Sequence, residues 1–508
     1  MIPFNDYLRA GAAIVLCASL VSPPALADRS DDTVTVAAPW KIGVLTPAAT
    51  GTVLQRMGVT EPLTRPDQDG TIVGLLAEDW TADETLTTWR FRIRPGVVFH
   101  DGTPLTAEVV ARNLAAFADE SSLRRAPVES IERDGNAVVI RLSRPFAPLP
   151  AHLAHWSTGI LSAAVLDDGD AVQPIGTGYY RVVGQDGSQS LSLEAFPDYW
   201  GERPSIGHAR YVFAADDATR LAMVEAGEAE LAFELDAFAA AAAGSQVTVQ
   251  SEETARIRAL KLNVGQAPFD DLRVRQAISL AIDRDGIATA LLGNPGIAAT
   301  QLMPAAVAGW YRPDLAPFAH DPAAARALLA EAGWSPGSGG VLERDGEPFS
   351  VELLTYDARQ LREVATAIQA QLAEVGIEAT ISNVDWTAIP ARHDDRTLEM
   401  AMVSDNFAYV PDPIGALAQN FTGGGGPWGA LDWHDAEFEG LVETYQATSD
   451  GADQAAQRAR MMEIVHADLP LVTITWYDAT YAVSPEIDGF AFDPYEMRYG
   501  LNRVRWSD

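Results

Sequence analysis

Cysteine is the scarcest residue in the 508-residue sequence, with one copy, Cys17. One cysteine makes no internal disulfide and no multi-cysteine zinc or iron–sulfur site. Lysine is nearly as rare, at positions 41 and 261 only. That excludes a Walker A loop, and neither a G-x-S-x-G elbow nor an H-E-x-x-H helix occurs. The lysine skew itself reads as coding bias, with no function attached. Basic residues number 36 against 70 acidic, a formal charge of −34. Nucleic acid is therefore not an expected partner, because its binding depends on neutralising phosphates. On charge alone a cationic or zwitterionic ligand is favoured. Of the eight histidines, only His152 and His155 form a local pair. Two histidines at that spacing can share a metal, but no acid or third histidine stands nearby, so they read as a surface helix and no metal site is expected. The many carboxylates guarantee that some pair resembles a general acid and base, yet spacing selects none. Internal repeats and long charge runs are absent too.

At 47% hydrophobic residues the chain has ample material for packed cores, about three domains' worth at roughly 150 residues each. Its N-terminus carries Arg9, an apolar stretch from Ala10 to Val21, and Ala25-Leu26-Ala27 before Asp28. A positive start, a short apolar run and an A-x-A site describe a secretory signal peptide over residues 1–27. The apolar run falls short of the ~20 residues a spanning helix needs. Cys17 lies inside it behind Leu16, where a lipoprotein signal needs a small residue. The mature chain is expected to be exported, soluble and cysteine-free.

Downstream the patterns are mixed. Trp89 to Ile93 alternates apolar and polar as a half-buried strand does, Asp101-Gly102 supplies a turn, and Thr106 to Phe117 has helical character. Val138 to Leu142 and Leu191 to Ala195 read as further strands. Asp321-Pro322 is an N-cap with proline at the first helical position, and Gly333 stands where that helix ends. Val351 to Thr355, then Leu361, Val364, Ala365, Ile368 and Leu372 up to Gly376, then Ile377 to Ile381, spell strand, amphipathic helix, strand. That is a βαβ unit, the builder of parallel sheets. A similar helix starts at Asp270 or Asp271. The fold class is α/β with antiparallel additions, which names no function by itself.

Several stretches resemble, in order, the bacterial solute-binding proteins of ABC importers, in the large family with dipeptide-, oligopeptide- and nickel-binding members. They are Gly70 to Trp80; Trp89 to Val109 (WRFRIRPGVVFHDGTPLTAEV); Pro174 to Tyr180; Tyr199 to Pro204; Thr219-Arg220 leading to Leu231; Leu262-Asn263 through Arg284; and Ala330 to Trp334. The resemblance implies a two-lobe periplasmic-binding-protein fold that closes on ligand like a hinged clamp. Lobe one would span 28–261, with an extra subdomain at about 89–165; lobe two would span 262–471, and 472–508 would return to lobe one. It also implies a periplasmic monomer without a cofactor, a small-molecule ligand and ABC permease subunits as partners.

Ligand in this family lies between the lobes. Ser404 to Pro413 resembles the family's cleft loop, where peptide-binding relatives place an aspartate for the ligand's ammonium. The ungapped match here is Tyr409, with Asp405 four residues earlier: either a short insertion carries Asp405 into that role or the amine anchor is missing, and the departure weakens free-peptide binding. Arg362 resembles the arginine that pairs with a ligand carboxylate, a task suited to a bidentate guanidinium; the alternative is an exposed residue beside Glu363. The stretch matching the nickel binders' chelator arginine, His155 to Ile160, contains no arginine, and their metal-binding histidine would fall near Gly423 to Trp428. Trp156, Trp386, Phe407, Tyr409 and Trp428 are candidate aromatic walls, with Trp428 the best placed because it follows a four-glycine loop. Tyr495 and Arg498, beside Met497, are candidates from lobe one. A peptide or peptide-like ligand leads; a nickel or other metal chelate, or another small polar solute, is the alternative. A periplasmic hydrolase or a ligand sensor is the rival from another class.

Overall fold

A computed structural model of the chain describes residues 32–67, 70–168, 173–307, 309–449 and 451–507. The signal-peptide segment and Cys17 lie outside the described residues.

The architecture is organised around two long strands, Thr248–Leu262 and Leu471–Val483, paired antiparallel along most of their length. They are the middle of one ten-stranded sheet. On one side follow Met400–Asn406, Ser350–Thr355 and Glu378–Asn383; on the other follow Leu231–Phe233, Thr33–Ala38, His208–Phe213, Ser190–Ala195 and Tyr180–Asp186. The chain thus passes to the Met400–Asn406 side of the sheet after one long strand and comes back on the other. Where they cross, the pairing register shifts between Glu253 and Ile257 and again between Arg258 and Ala259. Such irregularities bend and twist a ladder.

Periodicity is realised where it was clearest. Ser350–Thr355 and Glu378–Asn383 pair in parallel around the helix Leu361–Glu374, whose buried face is Leu361, Val364, Ala365, Ile368 and Leu372. Asp321 caps Pro322–Glu331 by accepting from the amides of Ala323 and Ala324, and Asp271 caps Leu272–Ala281. These helices sheathe the lobe-two half of the sheet, where their apolar stripes share one core with Leu260, Leu353 and Met402.

The strand Thr88–Ile93 buries alternate residues as its pattern predicts. It sits inside a separate four-stranded antiparallel sheet ordered Ala77–Ala82, Thr88–Ile93, Ala137–Leu142, Val128–Asp134. The helix Ala107–Ala116, capped by Thr106, closes its core through Val110 and Leu114 against Phe91 and Ile140. The surface-helix expectation for His152 and His155 fails here. His152 is fully buried and its Nδ1 meets the Ser122 carbonyl at 3.0 Å; burial pushes His152 down to about 4 and His155 to about 3.

Among the described residues no helix is long and apolar enough to cross a membrane, and no group of three or more His, Cys, Asp or Glu is placed to hold a metal ion.

Candidate functional site

A cleft of about 1190 Å³ opens between the lobes across the two long strands. Lobe one lines it from Trp40 and Lys41 and from the segment around Glu234; lobe two lines it from Tyr356 to Gln360, Trp386, Asp405, Tyr409 and Trp428. The floor comes from the strands themselves, through Arg256, Arg258, Tyr477 and Asp478.

The floor is a cluster of guanidinium groups around one phenol. The Tyr477 ring has Arg258 at 4.7 Å, Arg256 at 5.9 Å and Arg359 at 6.0 Å. Arg258 is buried; its Nε donates to the Arg359 carbonyl at 3.0 Å, and Nη1 reaches Thr475 Oγ1 and the Trp476 carbonyl at 3.3 Å each. All these partners are neutral. Burial pulls its pKa down to about 10, opposed by Tyr477 and helped by Arg359. Arg256 is satisfied differently: it donates to the Tyr409 hydroxyl and stands 3.8 Å from Glu496.

Two acids face these cations. Glu234 accepts from the Tyr477 hydroxyl and lies 3.8 Å from Arg359 across the cleft, while its Oε1 has no hydrogen-bond partner among the described residues. Burial acts to raise its pKa, but Arg359 and Arg256 outweigh burial and hold it below the ordinary glutamate value. Asp405 accepts from Asn420 Nδ2 and the Asn406 amide, both at 2.9 Å; burial raises its pKa against the pull of Arg256. Arg359 and Gln360 both adopt left-handed backbone, with φ of 48° and 59°, conformations that cost a non-glycine residue energy. This double turn sits just ahead of the helix Leu361–Glu374 and places Arg359 in the cleft.

The upper wall is aromatic. Trp428 packs 6.3 Å from Trp386 at 28° and meets the Tyr356 ring at 6.0 Å and 64°. Trp386 is 55% exposed.

Of the residues singled out from sequence, Trp386, Asp405, Tyr409 and Trp428 come together on this cleft. Trp156 backs it one layer out, edge-on to Tyr409 at 4.7 Å. The others lie elsewhere. Arg362 is 57% exposed and pairs with Glu363 at 3.5 Å and Asp357 at 3.9 Å, the polar-face arrangement. Phe407 is buried against Phe421, because the strand ends at Asn406, whose Oδ1 takes the Ala408 amide and turns the intervening ring into the core. Tyr495 lines a smaller cavity of about 380 Å³ with Trp80, Trp310 and Tyr445. Arg498 is engaged by Asp493 at 3.4 Å and the Pro66 carbonyl at 3.5 Å. Sequence reasoning passed over Arg256, Arg258, Arg359, Glu234 and Tyr477. One signal was available: Arg256 and Arg258 stand two apart in the otherwise apolar stretch from Ala255 to Leu260, so both face the same side. The cluster also overrides the whole-chain charge, since a chain of −34 puts cations at the bottom of its cleft.

The model of the "Bacterial extracellular solute-binding proteins, family 5 Middle" matches residues 71–428, well over half of the chain. The chain belongs to that family. It is 26% identical over 462 residues to the dipeptide-binding protein of Escherichia coli K12, covering 82% of this chain and 83% of that protein. It is 27% identical over 416 residues to the nickel-binding periplasmic protein of the same organism, covering 75% and 76%. NikA from Brucella suis, solved in complex with Fe(III)-EDTA, superposes with a TM-score of 0.84 at 24% identity, over 94% of this chain and all of that one. The family 5 solute-binding protein therefore has the two-lobe fold of its relatives, with the cleft just described between the lobes.

Proposed function

We propose that this solute-binding protein captures a peptide or peptide-like molecule bearing a free carboxylate and an ammonium, and delivers it to the permease of an ABC importer. The observation that carries the reading is Arg258: a buried guanidinium on the cleft floor whose hydrogen-bond partners among the described residues are neutral oxygens. A ligand carboxylate would give it a charge-assisted hydrogen-bond partner, whereas its neighbour Arg256 already stands 3.8 Å from the Glu496 carboxylate. Arg359, held across the opening by Glu234, is the second donor. Glu234 and Asp405 are the acceptors for an ammonium. Trp428, Trp386 and Tyr356 would cover the apolar body of the ligand. The volume is slightly above the roughly 300–1000 Å³ of ordinary small-molecule sites, so there is room for more than two residues.

Mechanism follows from the two strands. Lobe one (28–261 with 472–508) and lobe two (262–471) turn about their bulged crossing. Ligand that touches the floor and both walls stabilises the closed form by its differential affinity. The permease reads that closed shape. No bond is made or broken, the protein acts as a monomer without cofactor, and residues 1–27 are removed on export to the periplasm. The metal-chelate reading keeps one specific support: the carboxylates of a chelator would satisfy Arg258 and Arg359 equally well.

Thermal-shift screening decides among these, with a panel of di- to tetrapeptides, nickel with small carboxylate chelators, and neutral sugars. Large shifts with free peptides, and intact peptide recovered by mass spectrometry, support the proposal. Shifts confined to chelates transfer the site to the second reading, and recovery of cleaved peptide would sink the non-enzymatic mechanism.

A further inference from the structure

One of the two lysines has no exposed surface. Lys261, near the end of the strand Thr248–Leu262, donates from Nζ to the carbonyls of Gly426 at 2.8 Å, Gly429 at 2.6 Å and Ala430 at 3.1 Å. Three acceptors match the three N–H bonds of an ammonium, whereas a neutral amine offers only two. The carbonyls belong to the glycine loop. Gly423, Gly424 and Gly425 all have positive φ, of 61°, 93° and 92°, and a Cβ on Gly425 would fall 2.0 Å from the Ala430 carbonyl. This stretch has no side chains to pack it down, yet it leads into Trp428 on the cleft wall and folds over Asn420, the donor to Asp405.

We propose that Lys261 is a positioning residue of the ligand site: its ammonium clasps the glycine loop and thereby presents Trp428 to the cleft. The consequence for ligand rests on the function proposed above; the clasp itself does not. Burial lowers Lys261 to about 7, so the clasp loosens as pH rises through neutrality. The titratable and charged groups around it are His393 on the helix Ala388–Asp394, held down to about 4 chiefly by burial with Lys261 adding to the effect, and Arg396, which pairs with Asp432. Beyond the loop stand His434, beside Gly424, and Glu439, which accepts from the Gly423 amide.

The test is fluorine NMR of protein labelled with 5-fluorotryptophan, with Trp428→Phe identifying the Trp428 line. Between roughly pH 6 and 9, around the lysine midpoint, that line shifts while those of Trp89 and Trp334 stay. Lys261→Met displaces the Trp428 line and removes its pH dependence, and His393→Gln retains the wild-type titration. A Trp428 line that still titrates in Lys261→Met, or that Lys261→Met leaves in place, overturns the proposal. Should Lys261→Met fail to fold, the other two samples decide: a static wild-type line, or a titration lost in His393→Gln, overturns it as well.

Discussion

The floor and the upper wall of the cleft are built on opposite principles. The floor, Arg256, Arg258 and Tyr477, stands on the two long strands at the centre of the sheet, where each group is buried; Arg258 bonds the Arg359 and Trp476 carbonyls, and Arg256 and Tyr477 bond the side chains of Tyr409 and Glu234. The wall, Trp386 and Trp428, stands on loops, half in solvent, with a run of glycines leading into one of its two rings. On the proposed function, the buried cations of the floor would set what charge a ligand must bring, and the rings on the loops would cover its body. Ligand identity in such a protein can drift by changing the wall while the floor holds the class.

That contrast breaks most easily at Arg258. With the peptide giving the largest thermal shift, Arg258→Met is expected to weaken binding at least about 100-fold, the scale of losing a buried charge-assisted partner. Amidating the peptide's C-terminus should cost the wild-type protein a similar factor and cost the variant little, by calorimetric titration. Equal losses in both proteins would uncouple the carboxylate from the floor. Arg359→Ala should weaken binding about tenfold, because this cation is shared with Glu234. The same titration on Trp428→Ala should read about three- to tenfold, the worth of one aromatic contact. If the tryptophan costs more than Arg258, wall and floor exchange roles.

Glu234 sharpens the comparison through pH. Its pKa is lowered in the fold by Arg359 and Arg256 in spite of burial. Its contribution to stability is therefore complete above the ordinary glutamate value and is lost as pH falls through the lowered one. Glu234→Gln is expected to flatten the acid limb of the melting curve by about 2 °C, a shift of the size expected from about 1 kcal/mol. An unchanged acid limb would remove the interlobe ion pair from the account. Arg362→Ala is the smallest effect expected: binding within error of wild type, because exposed ion pairs contribute about 0–1 kcal/mol.

The same residues explain what could be read in advance. Helices and strands whose apolar spacing is local, such as Val351 to Ile381, were legible because the burying face is written in neighbouring residues. Part of the cleft was legible too: Asp405 and Tyr409 sit in the Ser404 to Pro413 stretch that resembles the family's cleft loop, and Trp428 follows the four-glycine run. The floor was not, because Arg258 meets Thr475 and Trp476 across more than 200 positions of chain, and no local pattern encodes that pairing. The displacement from Arg362 to Arg359 has a backbone origin. Arg362 was singled out by resemblance, and the two successive left-handed residues just ahead of the helix put Arg359 rather than Arg362 on the cleft.

On the proposed function an intact, carboxylate-bearing molecule sits on Arg258. Native mass spectrometry of gently isolated protein, followed by release and identification of what travels with it, tests this most directly. An intact peptide-like molecule with a free carboxylate is expected, retained by the wild type and lost from Arg258→Met. A neutral sugar, a hydrolysed fragment, or the same molecule retained by both proteins would contradict it.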